Sequence, residues 1–290
     1  MALAQNLFVA AAPARTLVGH AGVRPGERVY DLGAGTGLVT QALADAGAQV
    51  IAVERDTNLA RKLRARFAGA PTVTVLEADL AEVRFCAPFK VVANPPFNRT
   101  AALLRRLLEA APAPGAAALV LQREAARKWA GLPRPSAVSL AAAPWFELTV
   151  TEPFRRRDFT PAPGVDVALL SLVRRARPDL DEDQRDDWTA FVRHVFGRGR
   201  ADARGAFRTL LSQLQWRRLS ADLGLPAAAL AELAYEDWLA VFRFAVASAA
   251  PARRRRAGIA MASAPSPSAT HDRASHAAAS PPPPSRFRRD

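Results

Sequence analysis

The chain has 290 residues, half of them hydrophobic and 23% charged, with 40 Lys and Arg against 27 Asp and Glu for a formal charge of +13. That composition is enough for a packed core and excludes a wholly disordered chain, while one cysteine and four histidines exclude a disulfide framework and leave no metal site expected. No run of about 18 strongly apolar residues is present to span a membrane, and the apolar opening lacks the basic stretch of a cleaved leader, so a cytoplasmic protein off the membrane is expected.

The first 175 residues alternate β-rich and helical patterns, as βαβ units on a parallel sheet do. Residues 28–33 and 49–54 predict the first two strands, with Leu38, Val39, Ala42 and Leu43 at helical spacing between them. Residues 72–79, 89–97 and 116–122 predict three more, and helices fill 57–67, 100–110 and 123–130. Residues 146–151 and 165–173 read as an antiparallel closing pair. From 179 to 250 the pattern is helix only, with Trp188, Phe191, Val192, Val195 and Phe196 on one apolar stripe. The Pro-, Ser- and Arg-rich stretch 251–290 has few bulky apolar residues and reads as a disordered basic tail. Net charge divides as +8 over 1–175, −1 over 176–250 and +6 over 251–290. Almost all the positive charge is arginine, which binds phosphate in a fork, so a polyanionic partner is expected.

The string Asp31-Leu32-Gly33-Ala34-Gly35-Thr36-Gly37 lies where the first predicted strand ends and a helix begins. Glycines there permit a tight turn and let a ligand approach the backbone. The spacing is G-x-G-x-G with an acid two residues before the first glycine, not the G-x-G-x-x-G of dinucleotide folds. Such an acid repels a pyrophosphate and favours a cationic group such as an amino-acid ammonium. Glu54 ends the second strand 23 residues after Asp31, close to the offset of about 20 at which an acid meets a ribose. Asp79 ends the third, where a carboxylate can accept a proton of an adenine amine. Three acids at the carboxyl ends of successive strands indicate a crevice ligand. S-adenosylmethionine (SAM), with an ammonium and a sulfonium, is the expected cofactor.

Asn94-Pro95-Pro96-Phe97 closes the fourth strand, where two prolines end the ladder and present rigid carbonyls. Adenine's amine is a poor nucleophile because its lone pair is delocalised into the ring. The side-chain oxygen of Asn94 and the carbonyl of Pro95 can each accept one of its hydrogens and aim the lone pair at a methyl donor. Phe97 is placed to stack on the base.

Together with Gln5-Asn6-Leu7-Phe8 and Phe159-Thr160-Pro161-Ala162-Pro163-Gly164-Val165-Asp166, these motifs resemble the ribosomal RNA adenine dimethyltransferases. Within them the NPPF string is most similar to the Erm branch, the macrolide-lincosamide-streptogramin B resistance methylases acting on 23S rRNA. The small-subunit branch typically shows Asn-Leu-Pro-Tyr, from which Pro95 and Phe97 depart. The resemblance implies an α/β fold, a Rossmann-like SAM-dependent methyltransferase sheet with a small C-terminal all-helical domain. It implies a catalytic domain over 1–176, a helical RNA-docking domain over 177–250 and the tail over 251–290. Gln5, Asn6 and Phe8 match an N-terminal cofactor motif. Asp31, Gly33, Gly35, Gly37, Glu54, Asp79 and Asn94 take the cofactor. Asn94, Pro95 and Phe97 hold the target adenine, and Phe159 covers its other face. Arg123 and Lys128 are candidates to reach RNA. The implied partner is 23S rRNA or a ribosome assembly precursor, met by a monomer. Other readings left open are a small-subunit rRNA or DNA adenine methylase, a non-catalytic assembly factor, and, last, a nicotinamide oxidoreductase.

Overall fold

The computed structural model describes residues 6–197, 205, 207–225 and 232–260. A two-residue strand β1 (Leu7–Phe8) and helix α1 (Ala11–His20) precede the first predicted strand, β2 (Arg28–Leu32). Then come α2 (Leu38–Asp45), β3 (Gln49–Glu54), α3 (Thr57–Arg66), β4 (Val73–Glu77), β5 (Lys90–Ala93), α4 (Thr100–Leu108), β6 (Ala116–Gln122), α5 (Arg123–Trp129), α6 (Ala137–Ala142), β7 (Phe146–Thr151), β8 (Phe159–Thr160) and β9 (Val167–Arg174). The elements expected between residues 28 and 174 are all present, most within two residues of their predicted bounds. β4 and β5 stop earlier, so Asp79 and Asn94 stand in the loops just past their strands.

Seven strands form one sheet in the order β4-β3-β2-β5-β6-β9-β7. The five from β4 to β6 are parallel, and β9 and β7 close the edge antiparallel. Connections run outward from β2 on one side and from β5 on the other, which makes the β2/β5 boundary the switch point where an open sheet leaves a crevice. Both faces are covered, and alternate residues of a strand go to opposite cores. In β6, Ala117, Leu119 and Leu121 join one cluster, and Ala118 and Val120 the other. α1 and α2 pack on the second face through Leu17, Val18, Val39 and Leu43, whereas α4 packs on the first through Leu103, Leu104 and Leu107. This is the Rossmann-like α/β sheet.

The helical region comprises α7 (Arg185–Phe196), α8 (Gln213–Asp222), α9 (Tyr235–Ser248) and α10 (Pro251–Arg256) among the described residues. Its aromatic centre joins the first-face core without a gap: that core runs from Leu140 and Trp145 through Leu180 and Trp188 to Phe242. The change of architecture near residue 176 is therefore no break in packing, and residues 1–260 form one compact unit. The expectation of disorder from 251 onward is corrected for its first ten residues. Ala257 and Ile259 are buried, the Arg253 guanidinium donates to the carbonyls of Arg208 and Leu211, and the Ala260 N–H donates to Asp187. Pro251 opens α10 at a position that lacks an N–H partner in any case. The rest of that stretch lies outside the described residues. No helix among them is long and apolar enough to cross a membrane, and they hold no group of three or more acid, His or Cys residues suited to a metal.

Candidate active site

Asp31 on β2 pairs in register with Val92 on β5, so the glycine loop and residues 94–97 leave the sheet side by side. The loop is possible because its glycines take left-handed backbone. Gly35 has φ +55° and Gly37 φ +83°; an added Cβ would stand 2.7 Å from a Leu7 methyl at the first and 2.8 Å from a Leu63 methyl at the second. An l-residue at either is strained and crowded at once. The Gly35 N–H donates to Glu54 Oε2 at 2.9 Å, and Glu54 Oε1 accepts the Asp56 N–H at 2.9 Å. The buried Glu54 carboxylate, expected to meet a ribose, is thus fixed against the glycine loop.

Asp31 is only 1% exposed. Its Oδ2 accepts the Thr40 hydroxyl at 2.6 Å, while Oδ1 is buried without a partner. Burial pushes this carboxyl up to about 7; the Glu54 charge adds to the rise and the Thr40 hydroxyl opposes it. An acid in that state gains from an approaching cation.

Asn94 is buried as well. Its Nδ2 donates to the Asn6 carbonyl at 2.7 Å, which fixes the amide plane and leaves Oδ1 as a buried acceptor with no partner. Asn6 in turn donates to the Pro161 carbonyl at 2.7 Å, and β1 pairs antiparallel with β8, Leu7 opposite Thr160 and Phe8 opposite Phe159. The two flanking motifs of the sequence are therefore one ribbon clamped over the end of β5. Pro95 and Pro96 are buried, and the half-buried Phe97 opens a turn closed by the Arg99 N–H on the Pro96 carbonyl at 2.9 Å.

Three of the expected residues are engaged by the protein itself. Phe159 is 3% exposed; it stacks on Phe8 (5.0 Å, 28°) and meets Phe154 edge-on (6.1 Å, 78°). Phe8 is equally buried and packs against Phe154 at 5.4 Å and 50°. Arg123, a candidate for RNA, spends its guanidinium on Asp166 at 2.7 Å and Glu152 at 3.6 Å. Lys128 is exposed. Gln5 lies outside the described residues.

A narrow crevice runs between Gly33, Glu54, Asp79 and Pro96, walled also by Arg55 and Arg99. Asp79 Oδ1 accepts the Ala81 N–H at 3.0 Å, and its Oδ2 faces Arg55 at 3.3 Å and Arg99 at 3.7 Å. The Ala81 N–H first, and then the Arg99 and Arg55 charges, hold this carboxyl below its ordinary value. Gly33, Glu54 and Asp79 thus line one crevice, Gly35 is tied to it through Glu54, and Asn94 stands two residues before Pro96 on its wall. Thr40, Arg55 and Arg99 were not foreseen. Arg55 directly follows the ribose-type acid, and Arg99 follows NPPF by two residues, but a lone arginine carries no periodic or spacing signal.

The glycine cradle and the orphan oxygens of Asp31 and Asn94 fit two groups side by side, the ammonium of a cationic donor at Asp31 and the amine of a separate acceptor at Asn94. The model of the ribosomal RNA adenine dimethylases matches residues 3–246. The chain belongs to that family. Within that family it resembles the mycinamicin-resistance protein MyrB of Micromonospora griseorubida, at 35% identity over 74% of this chain and 69% of that protein. It also resembles ribosomal RNA small subunit methyltransferase A of Geobacter sulfurreducens, at 31% over 67% of this chain and 75% of the relative. The crystal structure of the 23S rRNA methyltransferase ErmE superposes with a TM-score of 0.75 at 30% identity, covering 82% of this chain and 99% of ErmE. The resemblance to the Erm branch read from NPPF is supported by two of these likenesses.

Proposed function

We propose that this chain methylates the exocyclic N6 amine of one adenine in 23S rRNA, with SAM as donor, and so confers macrolide-lincosamide-streptogramin B resistance. The observation that carries the chemistry is Asn94 Oδ1, a buried acceptor whose amide is already locked by Asn6. A buried acceptor without a partner costs on the order of 1–3 kcal/mol, and a hydrogen of the target amine relieves that cost. The Pro95 carbonyl takes the second hydrogen. With both held, the amine nitrogen rehybridises and its lone pair points away from the ring. The nitrogen gains positive charge during attack, so the two acceptors bind the transition state more tightly than the ground state. Phe97 stacks on the extruded base, and the surplus proton leaves to water. SAM supplies an electrophilic methyl group. Asp31 receives its ammonium, Glu54 its ribose hydroxyls and Asp79 its adenine edge. The 23S target rests on the likeness to MyrB and ErmE and on NPPF, against small-subunit relatives of similar identity.

Expression in a macrolide-sensitive host followed by mapping of modified adenines on both ribosomal RNAs tests the target. The expected result is a single modified position on 23S rRNA and growth in macrolide. A mark on small-subunit rRNA alone would transfer the protein to the other branch, and an unmarked ribosome with a growth phenotype would make it an assembly factor.

The Asp31 assignment has a pH signature. The native carboxyl holds its proton to about 7, whereas only the ionised form attracts an ammonium. SAM affinity should therefore rise by on the order of tenfold between about pH 5.5 and pH 7.5. Asp31→Asn should bind SAM weakly and without that slope, as equilibrium titration would show. For stability the sign is opposite. Between the unfolded value near 3.8 and about 7 the native state binds the extra proton, so this group lowers stability as pH rises through that window. Asp31→Asn should flatten that fall. A parent protein with pH-independent SAM affinity would refute the assignment.

A further inference from the structure

Between the loop after β4 and the outer face of α4 lies a groove with about 830 Å³ of open space. Arg84 and Arg105 stand on its rim, both exposed and without an ion pair among the described residues. Arg106 forms its floor. That guanidinium donates to the Val83 carbonyl, lies over the Phe85 ring at 5.5 Å and keeps a buried Nε without a partner. The ring beneath is itself fixed, stacked on Phe89 at 4.8 Å and 6°. Arg106 is thus a cation held in place before any ligand arrives. Arg99 belongs to the groove and to the cofactor crevice alike, only two residues past Phe97. Against four arginines stand Asp79, already engaged by Arg99 and by Arg55 outside the groove, and Glu109.

We propose that this groove docks the phosphodiester backbone of the RNA strand adjoining the target nucleotide. The proposal rests on the reading of the substrate as RNA and adds where the strand leaves the active site. Several guanidinium groups around one open groove suit a chain of phosphates better than one small anion, because each fork takes its own phosphate. The fixed floor reduces the ordering cost of binding. The shared Arg99 wall makes the path continuous with the turn that carries the target ring.

The test uses the full chain and a labelled oligouridylate of about 12 nucleotides, which has no adenine amine to react, titrated by fluorescence anisotropy over a salt series. The double variant Arg84→Ala/Arg105→Ala should bind it on the order of tenfold more weakly, with a salt slope shallower by about 1.4 for two lost contacts on a single strand. Arg15→Ala, on α1 at the other face of the sheet, should match the parent in both. SAM titration of each variant reports folding, since Arg84 and Arg105 do not line the cofactor crevice. A double variant that binds like the parent, or an equal loss from Arg15→Ala, overturns the docking assignment. A parent that binds oligouridylate through the groove yet leaves 23S rRNA unmarked sinks the proposed function and leaves the groove standing.

Discussion

Asn94→Ala is expected to lower methyl transfer by on the order of 10² to 10³ while SAM binding stays within a few-fold of the parent. The variant removes the one side-chain acceptor aimed at the amine. It also strands the Asn6 carbonyl, which now accepts Nδ2 at 2.7 Å. Those two changes oppose each other in stability, because the lost Oδ1 was itself a buried acceptor without a partner. The melting temperature should therefore move little, which separates a chemical defect from an unfolded one. Single-turnover transfer of labelled methyl to rRNA reads the first effect and equilibrium binding of SAM the second. Asn94→Asp sharpens the test: it restores an acceptor but loses the donor that Asn6 requires and brings a charge into a buried site, so it should fail to rescue. A rate for Asn94→Ala within about threefold of the parent, under 1 kcal/mol of barrier, would remove Asn94 from the chemistry.

The sheet was legible because buried parallel strands read as short apolar runs between turn signals, and residues 28–33, 49–54 and 116–122 are such runs. The site was legible where a motif has a backbone reason: the glycines at 35 and 37 are required by positive φ and by neighbours closer than a Cβ allows. What escaped was what depends on contacts distant in sequence. α1 carries Ala14, Leu17 and Val18 at helical spacing, yet Pro13 and an Ala-rich start hid it. The burial of Phe159 follows from β1 pairing with β8 across some 150 residues, and two-residue strands have no periodicity to read. The same pairing makes Asn6 the residue that sets the Asn94 amide, a role invisible in the string Gln5-Asn6-Leu7-Phe8. The ion pairs of Arg123 with Asp166 and Glu152 escaped because charge on a helix does not say which acids face it.

Trp188→Ala is expected to destabilise the fold by about 3–5 kcal/mol, the range for truncating a buried large aromatic. Trp188 is fully buried and lies edge-on to Phe242 at 5.2 Å and tilted against Phe191 at 5.6 Å. Its indole N–H donates to the Leu140 carbonyl at 2.7 Å, which ties α7 to α6 on the sheet. Nearby, Arg185 spans the same junction, donating to the Leu108 carbonyl at 3.0 Å and lying over the Trp145 ring at 4.1 Å. Trp188→Phe keeps most of the apolar contact and loses the hydrogen bond, so it should cost clearly less than the alanine variant. Net stabilities of about 5–15 kcal/mol leave the alanine variant marginal. Because one core runs through this junction, loss of helical packing must reach the β2/β5 crevice. Thermal curves followed by near-ultraviolet circular dichroism and by SAM binding should therefore shift down together in Trp188→Ala. If the aromatic signal melted early while SAM binding kept the parent's midpoint, the helical region would be an independent domain and the continuous core would not be what supports the active site.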